Sequence, residues 1–186
     1  EFVKKAIEHL KDNGSWDPKC DDASYALETA ICVEKYDVYD LLVQDGVSLK
    51  TKNLLIFIMG FEEKSLESVK KALQHLKDTD NWDPKCDDAS EALETAISRK
   101  KYDVYNLLFQ DGVSLKMNSL LSIIMGSEEI SLESVKKAIQ HLKDTDNWDP
   151  KCDGASEALL FASCQDMYDV VDLLVQEGFF LNEESS

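Results

Sequence analysis

The chain has 186 residues, 44% of them hydrophobic, and a formal net charge of −17. This length is sufficient to bury a core. The negative charge argues against nucleic acid as a partner, because phosphates require a basic patch, and it also argues against adhesion to anionic membranes. The longest apolar run, Leu54 to Met59, is too short to span a bilayer.

A period of 66 residues runs through the chain. Trp16, Trp82 and Trp148 each begin the string Trp-Asp-Pro-Lys-Cys-Asp. One histidine, one cysteine and one glycine per copy keep the same spacing: His9, His75 and His141; Cys20, Cys86 and Cys152; Gly46, Gly112 and Gly178. A fixed long period indicates a repeat architecture. The search for function therefore turns to the surface that the repeats present.

Each period contains four predicted helices. In the middle copy they run over about 52–60, 65–77, 89–99 and 102–110. The segment 54–59 is apolar nearly all round, so we expect its helix to lie inside the stack. None of these short helices buries its apolar stripe alone, and stacking identical neighbours into a solenoid solves that problem.

The ends of these helices carry recognisable signals. Ser65 is a candidate N-cap for the second helix, and Pro84 lies in an Asp-Pro-Lys turn that separates it from the third. Asp88 followed by Glu91 resembles a capping box, which predicts a helix beginning at Ala89. Gly112 ends the fourth helix.

Half of each period resembles an ankyrin repeat, whose pattern is Thr-Pro-Leu-His-x-Ala-Ala, a Val-Val-x-Leu-Leu-Leu helix and Gly-Ala. The matching positions of the three copies are Leu27, Ala30, Ile31, Val38, Leu41, Leu42 and Gly46; Leu93, Ala96, Ile97, Val104, Leu107, Leu108 and Gly112; and Leu159, Ala162, Val170, Val171, Leu173, Leu174 and Gly178. The Thr-Pro-Leu-His signature is replaced by Tyr-Ala-Leu-Glu, Glu-Ala-Leu-Glu and Glu-Ala-Leu-Leu in the three copies. Glu34, Lys100 and Asp166 replace the glycine between the two helices.

The resemblance implies an all-α, curved solenoid, with another helical-hairpin solenoid of the TPR or HEAT kind as the alternative. An ankyrin unit has about 33 residues, so one period holds a regular and a degenerate unit. We expect a single repeat domain over 1–186, divided into a truncated first unit (1–20), regular units (21–50 and 87–116), degenerate units (51–86 and 117–152) and a last unit (153–186).

Metal and disulfide chemistry find little support. Equivalent cysteines of stacked repeats would lie on the order of 20 Å apart, beyond the reach of a disulfide, and free thiols are typical of a reducing, cytoplasmic location. An EF-hand needs an oxygen ligand, a glycine and a glutamate where this chain has Trp82, Asp83 and Ala89. One histidine and one cysteine per period do not make a zinc site. We expect no metal and no cofactor.

Catalysis is not expected either. An active site uses a nucleophile, a base and an orienting group once, whereas His75 and its counterparts occur in every copy. We interpret these histidines as helix-end residues favoured by the helix dipole. We interpret the tryptophans as packing anchors of a long connecting finger, with an exposed aromatic row for binding as the alternative.

The copies diverge abruptly at one place. Residues 69–93 and 135–159 agree at 23 of 25 positions, whereas 94–101 and 160–167 agree only at Ala96 and Ala162. In ankyrin proteins this stretch, with the finger tip, lines the concave groove that grips partners. Carried over, the binding residues are Asp21, Asp22, Ser24, Cys32 and Val33; Asp87, Asp88, Ser90, Ser98 and Arg99; and Asp153, Ser156, Cys164 and Gln165.

Two explanations of the divergence remain open. The changes either tune a binding surface, or Leu160 and Phe161 mark a terminal unit that packs against itself or a missing neighbour. We expect a non-catalytic module that binds a protein with a basic surface. The alternative is a structural or regulatory segment of a larger protein, such as the cytosolic region of a channel or a host-directed effector.

Overall fold

A computed structural model describes residues 2–59, 65–125 and 131–181 of the chain. Over these ranges the chain forms eleven α-helices and one short 3-10 turn, Thr51–Asn53, and no β-strand. The helices are α1 (Phe2–Asp12), α2 (Asp21–Cys32), α3 (Tyr36–Gln44), α4 (Leu54–Met59), α5 (Ser65–Asp78), α6 (Asp87–Ser98), α7 (Tyr102–Gln110), α8 (Met117–Met125), α9 (Leu132–Asp144), α10 (Asp153–Cys164) and α11 (Tyr168–Gln176). The predicted all-α class is confirmed.

The four predicted helices of the middle copy are all present as α4, α5, α6 and α7. One boundary prediction is wrong, because α6 begins at Asp87 and its N-cap residue is Cys86, with φ −72° and ψ 159°. The capping box at Asp88 therefore does not form the start of this helix. In the first copy the cap is the thiol itself, since Cys20 Sγ accepts the Ala23 N–H at 3.4 Å.

The chain divides into two compact units, Glu1–Asp83 (unit 1) and Pro84–Ser186 (unit 2). In unit 1, α2 packs against α3 and α5, and α4 packs against α5. In unit 2, α8 packs against α6, α9 and α10, while α6 contacts α7 and α9, and α11 contacts α9 and α10. Each unit thus buries the apolar stripes of short helices against one another, as the repeat pattern requires.

The core of unit 2 is built from leucines and isoleucines that face one another from different helices. Leu93, Ile97 and Leu108 are each 0% exposed. In unit 1, the sequence predicts that α4 lies inside the stack, and only part of the helix is buried in this way. Although Leu54 is 0% exposed, Met59 at the end of the same helix is 51% exposed.

The turn between the two helices of each regular pair adopts a left-handed backbone. Glu34, Lys100 and Asp166 have φ values of 57°, 58° and 56°. These are the positions where the ankyrin pattern has glycine. The turn geometry is therefore kept even though a side chain is present, at a cost of about 1–2 kcal/mol per residue for most L-amino acids.

A second left-handed position offers a test within the chain's own repeats. Asp80 follows α5 with φ 53°, and the equivalent residue of the first copy is Gly14, with φ 70°. We expect Asp80→Gly to raise the free energy of unfolding by about 0.5–1 kcal/mol, because glycine adopts positive φ without a Cβ penalty. Denaturant unfolding measures the change.

The matched control for that substitution is Asp80→Asn, which removes the charge and keeps a side chain in the same left-handed conformation. We expect it to change stability by less than Asp80→Gly does, since asparagine retains the Cβ. An equal gain in the two variants would mean that the charge, and not the backbone conformation, limits stability at this position.

Candidate functional site

The aspartates predicted to bind a partner lie in the first turns of three equivalent helices. Those of α2, α6 and α10 are all exposed: Asp21, Asp22, Asp87, Asp88 and Asp153. Carboxylates at this position are favoured by the helix dipole. Two of them also pair with a lysine of the same unit, since Asp87 Oδ1 lies 2.6 Å from Lys116 Nζ and Asp21 Oδ1 lies 3.6 Å from Lys50 Nζ.

The lysine partner changes the electrostatics of this end of α6. The hydrogen bond and charge of Lys116 lower the pKa of Asp87, and the same contacts raise the pKa of Lys116. Asp88, its neighbour in the first turn, is also exposed. A basic partner would compete with Lys116 for Asp87.

The remaining predicted residues lie at the opposite ends of these helices. Five of them are exposed and Ser98 is half-buried: Cys32, Val33, Arg99, Cys164 and Gln165. Asp153 and Cys164 are the first and last residues of α10, so about 16 Å separates them at 1.5 Å per residue. The predicted set therefore forms two separate surfaces on each helix.

The serines of the predicted set have a different environment. Ser24 and Ser90 are 8% and 7% exposed, and their hydroxyl oxygens have no hydrogen-bond partner. They lie in the packing between helices. The prediction that they bind a partner is therefore wrong, because a partner cannot reach them without rearrangement. Ser156 is half-buried.

An open groove in unit 2 coincides with the diverged stretch. It lies between α8 and α10 and has a volume of about 310 Å³. We call it the α8–α10 groove, and its lining consists of apolar and thiol side chains and one carboxylate: Leu121, Met125, Glu157, Leu160, Phe161 and Cys164. Leu160 is 46% exposed and Met125 is 55% exposed. Large apolar side chains are therefore accessible in a concave surface.

The middle copy shows what the divergence changed. The residue equivalent to Leu160 is Glu94, which hydrogen-bonds Ser119 and Ser122 of α8, and burial raises the pKa of its carboxyl group. In α10 that acid is replaced by a leucine that stays accessible. The explanation that Leu160 packs away against the chain itself is therefore not supported.

Sequence reasoning missed the contribution of α8 to this groove. Leu121 and Met125 are four residues apart and so share one face of the helix. The sequence does not predict the placement of this helix against α10, because that placement depends on packing between distant segments.

Each unit contains one buried histidine whose environment the sequence did not indicate. His75 and His141 are 2% and 1% exposed. His141 Nδ1 lies 2.9 Å from the Tyr105 hydroxyl, and the Leu115 N–H donates to His141 Nε2 at 3.1 Å. The corresponding contacts of His75 are equivalent, with Tyr39 at 2.9 Å and the Leu49 N–H at 3.3 Å.

The backbone contact fixes the state of the ring. Because an N–H group only donates, Nε2 of His141 must accept, so the neutral ring carries its proton on Nδ1 and donates it to Tyr105. Burial lowers the pKa of His141 to about 4 and also lowers the pKa of His75. His75 and His141 do lie in the last turns of α5 and α9, as predicted. The helix dipole does not explain them, because both rings are neutral and each joins an inter-helix loop to a helix.

The finger tryptophan of unit 2 has a packing role, as expected. The Trp148 ring lies 5.3 Å from the Phe179 ring, and Lys143 Nζ lies 5.1 Å from the Trp148 centroid. Phe179 follows α11 and is 3% exposed. The finger is thereby anchored to the end of the next helix pair.

Three other properties limit the chemistry of the described ranges. All five cysteines are free thiols. Within the residues that the structure describes, no group of three or more histidine, cysteine or acidic side chains is placed to hold a metal ion. Over the same residues, no helix combines the length and the apolar character that a membrane span needs.

Comparisons with known proteins identify no relative. The chain matches no protein-family model, no curated protein and no solved structure.

Proposed function

We propose that the chain is a non-catalytic protein-binding module built from divergent ankyrin-like repeats. The helix pairs α2–α3, α6–α7 and α10–α11 support the repeat assignment, since each joins a 12-residue helix to a 9-residue helix. The left-handed residue between them supports it as well, because it stands where the ankyrin pattern has glycine. The five free thiols support the cytoplasmic location that we propose for the module.

The α8–α10 groove carries the proposal. The repeats conserve their scaffold over 23 of 25 positions and then change, in the stretch that lines this groove, from Glu94 and Thr95 to Leu160 and Phe161. An accessible apolar depression with aromatic lining is the kind of surface in which binding hot spots occur. A change at exposed positions on a repeated scaffold is expected where function is grafted onto a fold.

The charge of the chain defines the partner. The net charge is −17, and the one charged side chain that lines the groove is the carboxylate of Glu157. Asp88 and Asp153 add exposed carboxylates at the first turns of the same unit's helices. We therefore propose a basic amphipathic segment as the occupant, with an apolar anchor in the groove and cationic side chains that reach Glu157 and the separate surface of exposed aspartates at the other end of α10.

The buried histidines agree with a non-catalytic role. Both ring nitrogens of His75 and of His141 are engaged within the helix packing. A general base must reach the proton that it abstracts, and these rings are nearly inaccessible to any substrate.

A variant that carries the middle copy's residues in the groove tests the proposal directly. The probe is a fluorescent helical peptide of lysine and leucine, titrated against the chain and against Leu160→Glu/Phe161→Thr, which carries the middle copy's residues. We expect the variant to bind at least about tenfold more weakly, the effect of losing about 1.4 kcal/mol of hot-spot contact. Circular dichroism checks that the variant keeps its helices.

Nonspecific electrostatic attraction predicts the opposite result for this variant. The variant adds one negative charge, so nonspecific attraction of a basic peptide to an acidic surface predicts equal or tighter binding. That result would contradict the groove proposal. Tyr168→Glu is the matched control, since it adds the same charge at a residue that is 71% exposed and does not line the groove.

A further inference from the structure

Helix α1 is a near copy of α9 but is covered differently. Phe2–Asp12 and residues 134–144 agree at 9 of 11 positions. In α9, Ala138, His141 and Leu142 are 0%, 1% and 0% exposed. The equivalent residues of α1 are all exposed, namely Ala6, His9 and Leu10. The first helix therefore presents to solvent a face that its copy buries.

The complementary surface is found after the last helix pair. Residues 168–176 of α11 agree with 36–44 of α3 at 8 of 9 positions. Leu181, which follows α11, is 50% exposed, whereas its equivalents Leu49 and Leu115 are 0% exposed. Val175 on α11 is also 55% exposed. This surface has the residues that receive a helix of the α5 or α9 type, and no helix within residues 2–59, 65–125 and 131–181 covers it.

The contact that joins these two surface types is visible within each unit. In unit 2, α9 contributes His141, whose ring binds the Leu115 N–H and the Tyr105 hydroxyl. Lys137 Nζ lies 4.3 Å from the Tyr105 ring centroid, and Ser134 Oγ donates to the Ile97 carbonyl at 3.0 Å. The same arrangement joins α5 to α3 in unit 1.

We propose that the chain associates head to tail with a second copy of itself. The face of α1 with Ala6, His9 and Leu10 docks on the surface that α11 and Leu181 form in the second copy. His9 then accepts the Leu181 N–H, as His141 accepts the Leu115 N–H. The two surfaces differ from each other, so each copy keeps one of each kind free and association continues beyond the dimer.

Charge complementarity favours this pairing over other partners for either face. Helix α1 has three lysines and two acidic residues, whereas α11 has two aspartates and no basic residue. The lysines of α1 would thus meet the aspartates of α11, as the lysines of α5 and α9 accompany aspartate-bearing helices within the units. One departure weakens the contact: Val171 stands where α3 and α7 have Tyr39 and Tyr105, so the ring of His9 lacks a hydroxyl partner.

Two exposed substitutions test the interface without touching the core. Ala6→Asp alters the α1 face, and Val175→Asp alters the α11 face. We expect the average mass of the unaltered chain, measured by sedimentation velocity, to rise with concentration, and each variant alone to stay monomeric. An equal mixture should form a one-to-one dimer and nothing larger, because only one intact surface of each kind remains.

A gain of affinity provides the second measurement. Val171→Tyr restores the hydroxyl that His75 and His141 find in their own units. It should tighten association by roughly tenfold, the effect of one additional buried hydrogen bond. That gain should disappear in a His9→Ala background.

Other results would overturn the proposal. These are a chain that stays monomeric at every concentration, single variants that associate like the unaltered chain, and a mixture that fails to form the dimer. Leu160→Glu/Phe161→Thr separates this proposal from the proposed function, since it alters the α8–α10 groove and should leave self-association unchanged.

Discussion

Acidification is expected to destabilise the fold through His141, by about 3 kcal/mol between the ordinary pKa of histidine and the folded one. Burial lowers the pKa of His141 from 6.5 to about 4 in the folded chain. Between these values the unfolded chain binds one proton more than the folded chain. The stability contributed by the neutral ring is therefore complete above the unfolded pKa and is lost as the pH falls towards the folded one.

Several charged groups act on this ring. Asp144 favours the protonated form and Lys137 disfavours it, while burial is the largest effect. Glu94 has the opposite influence on stability, because its raised pKa makes the folded chain take up protons first. The quantity to measure is therefore the difference in free energy of unfolding between the unaltered chain and His141→Gln, followed through that pH range.

The expected difference shrinks as the pH falls, because the glutamine does not titrate. His75→Gln should show the same trend, because burial lowers the pKa of His75 as well. If His141→Gln retained the full acid sensitivity, the buried ring would not be its source.

The histidines show why position in a repeat is not enough to predict a role. His9, His75 and His141 are equivalent in sequence, and local reasoning assigned all three to helix ends. The environments of His75 and His141 are set by residues 26 and 36 positions away in the sequence, which supply the N–H group and the hydroxyl group. Those contacts exist only after the helices pack, so no local pattern indicates them.

Local signals did predict the helices themselves. The apolar spacing in 65–77 and the glycine at Gly112 depend on neighbours within one or two turns, and the helices α5 and α7 form there. The turn at Glu34 was a departure from the ankyrin pattern, and yet its backbone is left-handed. Packing of α2 on α3 fixes that turn, and it overrides the preference of the residue.

The groove could be predicted only in part. The divergence at Leu160 and Phe161 is a property of the sequence, and these two residues line the groove on the α10 side. The opposing wall, Leu121 and Met125, required the placement of α8 against α10. The prediction that Ser24 and Ser90 bind a partner is wrong for a related reason. Their positions on the helices could be predicted from the sequence, but the packing that buries them could not.

A buried acid–amide pair in unit 1 gives the second large expected effect. Glu28 and Asn53 are 3% and 6% exposed, and the Asn53 side-chain amide donates to Glu28 Oε1. Asn53 Oδ1 also accepts the Lys50 N–H at 2.6 Å. We expect Asn53→Leu to lower the free energy of unfolding by about 3 kcal/mol, since it leaves a buried carboxyl group without its partner.

The repeat supplies a compensating change. The third copy has Leu160 at the position of Glu28, so an apolar residue is compatible with the helix there. Glu28→Leu/Asn53→Leu should therefore be closer in stability to the unaltered chain than Asn53→Leu alone, because the buried carboxyl group that Asn53→Leu leaves without its partner is removed as well. The double-mutant cycle should give a coupling energy of about 1–3 kcal/mol.

The pH dependence of Asn53→Leu separates the charge from the loss of packing. Burial already raises the pKa of Glu28, and the hydrogen bond of Asn53 opposes that shift. Removing the amide raises the pKa further, so the folded variant binds a proton more readily than its unfolded form and regains stability as the pH falls. Glu28→Gln is the control, since its amide oxygen still accepts from Asn53 and it has no charge to lose. A deficit of Asn53→Leu that stayed constant with pH would show that packing, and not the buried carboxylate, determines the cost.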